Sequence, residues 1–297
     1  LRGIQIGTVL SIAGEVVTDE RASGGAEIHD PVITVLVPVT DEPPIEIDKP
    51  ISHKSEHLDT LFENRAISLR NIHEQAIFKT KDVVCQSIRR YFAANEFTEI
   101  HTPKLLAEAT EGGAEVFTLD YFGKTATLAQ SAQFYKQMMV GVFERVFEIG
   151  STYRAEPSAT TRHLTEFMTV DCELGFVDFD ELQNLLGGLL ITVVNDTWDS
   201  CEGYFKPWNV TKAALPDRPE DIPRITIDEI HEMYKKATKE DYTGEDDLRP
   251  DEERWICEWA KKNKGSDAVF VTGWSAKSKT FKFYHKEDEQ NPDVALR

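Results

Sequence analysis

The sequence predicts an α+β protein, an antiparallel sheet flanked by helices and preceded by a small all-β segment. Three observations carry that prediction. Apolar residues recur at helical spacing over long stretches, Glu74 to Asn95 and Leu182 to Trp198 among them. Between these stretches, Val116 to Val177 runs in the order strand, helix, strand, loop, strand, which fits an antiparallel sheet. Strand-like sequence also fills residues 1–49, ahead of the first long helix. There is no internal repeat and no low-complexity tract.

In order along the chain, Ile6 to Val17 alternates loosely and Ala22-Ser23-Gly24-Gly25-Ala26 is a turn. Val32 to Val39 is a second β-rich run that stops at Asp41-Glu42-Pro43-Pro44. Three or so short strands are too few to close a barrel, and on its own this stretch also reads as a generic hairpin module. Residues 50–73 are mixed and polar with few apolar anchors, and read as a connector. In Glu74 to Asn95, Ile77, Val84, Ile88 and Tyr91 fall on one stripe while Lys79, Lys81, Gln86 and Arg89 face elsewhere. Phe97 to Leu106 follows as a strand carrying Pro103. After the helix at Leu182 to Trp198, a second spans Ile225 to Lys236, with Thr226 or Asp228 as N-cap. A third covers Glu252 to Asn263, and Ala268 to Thr272 is a buried strand.

A length of 297 residues suits one large domain plus a small one, and 40% hydrophobic residues suffice for a core. No apolar run approaches membrane-spanning length, and the N-terminus lacks the layout of a signal peptide, so a cytoplasmic protein is expected. The first residue is Leu1 and not Met, which suggests a piece of something longer. Cys85, Cys172, Cys201 and Cys257 form no CxxC pair and read as reduced core thiols. The formal charge of −19 argues against a nucleic-acid binder, because polyanions are repelled at long range. Much of the acid lies between Asp217 and Glu258, however, which leaves room for a local basic face elsewhere.

The most informative run is Tyr153 to Phe167. Arg154, Arg162 and His163 flank a short polar loop that also carries Glu156 and closes on Glu166 and Phe167, with apolar strands on both sides. That set suits a nucleoside triphosphate: guanidinium forks for phosphate oxygens, an acid for an exocyclic amine, a ring face for the base. Upstream, Thr110-Glu111-Gly112-Gly113-Ala114-Glu115 reads either as a mobile loop bringing Glu111 over a substrate ammonium or as an ordinary Gly-Gly turn. In Leu128 to Gln137 a strand ends and a helix begins, with Ser131 as the expected cap. Gln133 and Lys136 are three apart, share a helix face and can enter one pocket, although Lys136 alone also reads as a surface lysine. Asp171 alternates with apolar neighbours in Val170-Asp171-Cys172-Glu173 and so points inward, as a pocket residue or as a satisfied strand acid.

The Tyr153–Phe167 run resembles motif 2 of the class II aminoacyl-tRNA synthetases, in the aspartyl/asparaginyl branch and its archaeal-type aspartyl form. Gln130 to Lys136 resembles the QSPQxxK substrate segment of the aspartyl enzymes, with Ala132 where the pattern has proline. The helix, strand and Pro103 from Glu74 to Leu106 look like motif 1, which forms a dimer interface in that family. Residues 1–49 resemble the later strands of its OB-fold anticodon-binding domain, leaving 74–297 as the catalytic domain. The glycine-rich, arginine-bearing motif 3 is not seen before Arg297, so the expectation is a segment truncated at both ends and unable to form the adenylate efficiently alone. Val269 to Trp274 and Phe281 to Tyr284 resemble the family segment just ahead of that motif.

The resemblance implies ATP-dependent activation of L-aspartate and its transfer to tRNA(Asp), by a homodimer with no membrane partner. By position, Glu111 and Gln133 would hold the α-amino group, Ser131 would orient the substrate, Lys136 would pair with its side-chain carboxylate, and Asp171 would line the pocket. Arg154 would be the catalytic contact, bridging the substrate carboxylate and the α-phosphate. Glu156 would accept from the adenine amine, Arg162 and His163 would hold the β- and γ-phosphates, Leu164 would border the nucleotide, and Phe167 would stack beneath adenine. Mg²⁺ ligands would lie downstream of this segment. Lys136 favours aspartate over the nearly isosteric asparagine, since an unpaired buried ammonium costs about 3–5 kcal/mol. The competing expectations are an asparaginyl-tRNA synthetase, an aspartyl enzyme that charges both tRNAs, and a synthetase-like paralogue that only binds RNA.

Overall fold

The computed structural model describes residues 3–22, 24–49, 51, 55–109, 116–156, 164–276, 286–287, 289–291 and 293–296. The chain divides into two units, Leu1–Lys81 with Cys201–Val210, and Asp82–Ser200 with Thr211–Arg297.

In the first unit, β1 (Val9–Thr18) and β2 (Ala26–Val37) pair antiparallel across the expected turn. Two long strands replace the three or so short ones expected. The second begins six residues before Val32, because the apparent break at Asp30-Pro31 is a bulge. Asp30 takes φ 46°, and the ladder slips opposite Gly14, where a Cβ would lie 2.5 Å from the His29 carbonyl oxygen. The predicted connector contains two helices, α1 (Ser55–Glu63) and α2 (Arg65–Ser68). Leu61 and Ser68 are buried, so a few anchors among many polar residues are enough. The buried Asn71 side chain donates to the carbonyls of Ile47 and Lys49 at 3.0 and 2.7 Å and accepts from the His73 amide at 2.9 Å.

The long helix α3 (Ile72–Ala94) falls where expected, but Ile77 is 50% exposed, and Phe92, at 0%, is its most buried apolar residue. Phe92 packs at 4.7 Å from Phe97 and 4.6 Å from Phe147, ring centre to ring centre, with Ile88 and Ile149 completing the buried cluster. The predicted strand from Phe97 to Leu106 is two short ones, β3 (Thr98–Glu99) and β4 (Leu105–Leu106), in different sheets. Pro103 lies between them and has no N–H to continue a ladder. A hairpin, β5 (Thr118–Tyr121) and β6 (Lys124–Leu128), joins β4, and then comes α4 (Gln133–Phe143). The central ladder is β7 (Arg145–Tyr153) against β8 (Glu166–Leu174), antiparallel from Arg145↔Leu174 to Tyr153↔Glu166, with β3 parallel on the far side of β7.

Helix α5 (Phe179–Phe205) supplies Leu185, Leu189 and Val193 to the Phe92 cluster. Gly188 lets it approach α3: a Cβ there would lie 2.4 Å from the Tyr91 hydroxyl, which donates to the Leu185 carbonyl at 2.8 Å. Further on, β9 (Arg224–Thr226) leads into α6 (Ile227–Thr238), with Thr226 and Glu229 forming a reciprocal capping box. Thr226, and not Asp228, is the cap. Pro250 opens α7 (Pro250–Lys264), Gly265 at φ 68° ends it, and β10 (Phe270–Thr272) pairs parallel with β9. Residues of β10 are half-buried where full burial is expected. Three short strands, β11 (Trp274–Ser275), β12 (Lys286–Glu287) and β13 (Val294–Leu296), close the described chain. Cys257 is exposed, contrary to a core role, whereas Cys201 is buried and Cys85 and Cys172 are partly buried. Among the described residues, no helix is long and apolar enough to cross a membrane.

Candidate active site

Alternation gives the β7–β8 ladder two chemically opposite faces. Phe147, Ile149, Cys172 and Leu174 pack into the Phe92 cluster. Burial pushes the Cys172 thiol up to about 11, which marks it as a packing group. The intervening residues Glu148, Gly150 and Thr152 on β7 lie opposite Asp171, Thr169 and Phe167 on β8. These make a polar floor.

Helix α4 covers one end of this floor. Lys136 is only 4% exposed, and its Nζ lies 3.0 Å from Asp171 Oδ1 and 3.8 Å from Glu173 Oε2. Gln133 Nε2 donates to Glu173 Oε2 at 3.0 Å. The expected sharing of a face by Gln133 and Lys136 is therefore observed, and Asp171 faces the same place. Ser131 stands one residue before the cap position, which is Ala132. Its hydroxyl still accepts the Gln133 amide at 3.0 Å. Ala132 is buried, so a small residue fits where the family pattern has proline.

A second charged group lies nearby. The buried Glu148 carboxylate accepts from the Thr102 amide and hydroxyl, both at 2.8 Å, and from Lys104 Nζ at 2.9 Å. Gly150 leaves little spare room beside it: a Cβ there would lie 3.2 Å from Lys104 Nζ and 3.1 Å from Glu148 Cδ. Two lysines thus stand among three acids, Glu148, Asp171 and Glu173, leaving the floor with an excess of negative charge that suits a ligand ammonium.

The other end is built around Arg154, just past β7. Its amide donates to the Thr165 carbonyl at 3.0 Å, and its guanidinium carbon lies 5.6 Å from the centre of the Phe167 ring. Glu156 is half-buried, its amide bonded to the Arg154 carbonyl at 2.8 Å, while Leu164 is exposed. Phe167 and Asp171 share one face of β8, four residues or roughly 13 Å apart along the strand. Lys136 and Arg154 therefore stand at the two ends of a single floor. Glu111, Arg162 and His163 lie outside the described residues. Among the described residues, no three His, Cys, Asp or Glu side chains gather as a metal ligand set.

Glu173, Glu148 and Lys104 were not among the residues singled out from sequence. Glu173 has the parity of Asp171 two positions on, a signal that was available. Glu148 and Lys104 need the strand register and the turn at Pro103, which no local pattern supplies. Two cavities, of about 620 and about 500 Å³, lie against α6 and α7 and take in none of these residues.

A family model described as tRNA synthetases class II (D, K and N) matches residues 57–297. The aspartate--tRNA(Asp/Asn) ligase of Thermus thermophilus is 37% identical over 284 residues, covering 95% of this chain and 65% of the relative. The aspartate--tRNA(Asp) ligase of Pyrococcus abyssi is 36% identical over 288 residues, covering 96% and 64%. The crystal structure of asparaginyl-tRNA synthetase from Pyrococcus horikoshii complexed with asparaginyl-adenylate superposes with a TM-score of 0.78 at 30% identity, covering 97% of this chain and 64% of that one. The chain thus spans about 65% of the length of the curated relatives it matches. With the family model matching from 57 to 297 and both relatives and fold in agreement, the chain belongs to the class II tRNA synthetases of the D, K and N group.

Proposed function

We propose that the full-length protein carrying this chain activates L-aspartate with ATP and transfers the aspartyl group to tRNA(Asp). One observation supports this above the others: the buried Lys136 shares a polar sheet face with the Arg154–Phe167 pair, at the opposite end. A ligand with a carboxylate at one end, an aromatic base at the other and a phosphate between matches that floor. Aspartyl-adenylate is such a ligand.

In this reading an oxygen of the aspartate α-carboxylate attacks the α-phosphorus of ATP in line. The new P–O bond forms as the bond to the bridging oxygen breaks, and pyrophosphate leaves with that electron pair. A terminal tRNA hydroxyl then attacks the activated carbonyl, loses its proton and displaces AMP. The carboxylate is already a nucleophile, so the protein supplies position and charge. Arg154 spans the carboxylate and the α-phosphate, and Phe167 exchanges its guanidinium partner for adenine, whose amine donates to Glu156. Gln133 and Glu111 take the α-ammonium, Ser131 and Asp171 border the amino acid, and Lys136 takes the side-chain carboxylate. Arg162, His163 and Leu164 flank the nucleotide tail. Mg²⁺ arriving with ATP would neutralise phosphate charge. A homodimer formed through the Glu74–Leu106 region, acting in the cytoplasm, completes the proposal.

Amino-acid-dependent exchange of pyrophosphate into ATP tests it. Aspartate is expected to drive exchange and asparagine to do so at least about a hundredfold less well. No exchange with either amino acid would overturn the proposal. One observation favours a second reading, activation of asparagine. Lys136 already holds Asp171 at 3.0 Å, so its charge is matched before any substrate enters. Exchange driven by asparagine in preference to aspartate would establish that reading instead.

A further inference from the structure

We infer that Glu173 is a positioning residue that sets which end of the Gln133 amide faces the amino-acid pocket. The inference rests on the reading of Gln133 as an amino-acid contact. An ionised carboxylate only accepts hydrogen bonds, whereas a glutamine amide has a donating and an accepting end. Glu173 is buried, and its Oε2 lies 3.0 Å from Gln133 Nε2, so the amide nitrogen is committed inward. The carbonyl oxygen of Gln133 is thereby turned away from Glu173. Reversing the amide would bring two oxygens together at hydrogen-bond distance with no proton between them. Lys136 Nζ, 3.8 Å from the same Glu173 oxygen, holds that carboxylate from a further side.

The consequence concerns ligand polarity. With its nitrogen engaged, Gln133 presents an acceptor, which is what an α-ammonium requires and what an acceptor-only group such as a carboxylate at that place would not match. Glu173 need not touch the ligand to do this. It acts through Gln133.

The test is exchange kinetics on the full-length protein with Glu173→Gln, Gln133→Ala and the double variant. Glu173→Gln is isosteric but gives the site an amide that donates or accepts, which releases Gln133 from its imposed orientation. Its KM for aspartate is expected to rise roughly tenfold or more, the loss expected for a hydrogen bond to a charged group, with the KM for ATP unchanged. In the Gln133→Ala background the same substitution should change the aspartate KM far less. Equal effects of Glu173→Gln with and without Gln133, or an unchanged aspartate KM, would overturn the inference. If Gln133→Ala itself leaves the aspartate KM unchanged, the reading of Gln133 fails and takes the inference with it. A melting curve checks that Glu173→Gln folds. Should it not, Glu173→Asp keeps the charge but shortens its reach, and is expected to raise the aspartate KM severalfold only when Gln133 is present; no such dependence would be equally fatal.

Discussion

The two faces of the β7–β8 ladder are made by alternate residues of the same strands, and they do opposite work. Phe147, Ile149 and Cys172 join an apolar cluster around Phe92, where area removed from water is the driving force. One residue along, Glu148, Gly150, Asp171 and Glu173 form a floor in which each charge is matched by a lysine or a hydrogen bond. Charges there carry a desolvation cost that pairing offsets only in part, so the polar face contributes little to stability. The apolar face holds the strands in register so that the polar one can be arranged for a ligand.

That contrast can be broken from either side. The largest effect is expected from Arg154→Ala, which should lower aspartate-dependent exchange on the order of a thousandfold while leaving the melting temperature nearly unchanged. Retention of near parental exchange would refute its role. From the apolar side, Phe92→Ala should cost about 3–5 kcal/mol in denaturant unfolding, because a fully buried ring leaves a cavity. Lys136→Leu should lower kcat/KM for aspartate by about a hundredfold or more while the KM for ATP stays within about twofold. Equal losses for aspartate and ATP would show Lys136 to be structural.

Smaller effects sharpen the comparison. Gly150→Ala places a methyl between Glu148 and Lys104 and is expected to cost about 1–3 kcal/mol, read by thermal unfolding. Away from both faces, Asp196 accepts from the Ser87 hydroxyl at 2.6 Å and from Arg90 at 2.8 Å, fastening α5 to α3. The Ser87 hydrogen bond, seconded by Arg90, holds its carboxyl below the usual carboxylate range. A folded value below the unfolded one means that this stabilisation is present at neutral pH. It is lost as pH falls from about 4 through the depressed folded value. Asp196→Asn should therefore lower the melting temperature slightly at neutral pH, and by less as the pH drops through that range.

Much of this arrangement was legible in the sequence because long periodic stretches report their own burial. The helices at Ile72–Ala94, Phe179–Phe205 and Ile227–Thr238 overlap the predicted stretches, and Thr226 was one of the two caps that the sequence offered. The misses occur where a local signal and a long-range one disagree. The β-rich run read from Val32 begins at Ala26 in the structure, because the pairing with the partner strand absorbs Asp30-Pro31 as a bulge. Pro103 reads as tolerable within one strand, yet it sends β3 and β4 into separate sheets. At the site, Gln133, Lys136, Arg154 and Phe167 were legible as motif residues. The Glu148–Lys104 couple was not, because it exists only through register across the sheet.

The idea that the Lys136 end and the Arg154 end serve one ligand is tested most directly by calorimetric titration of the full-length protein with a non-hydrolysable aspartyl-adenylate analogue. The expected result is that Lys136→Leu and Arg154→Ala each weaken binding of the intact analogue, on the order of a hundredfold. If either substitution leaves the affinity unchanged in a folded protein, the two ends do not share a ligand, and the account is contradicted.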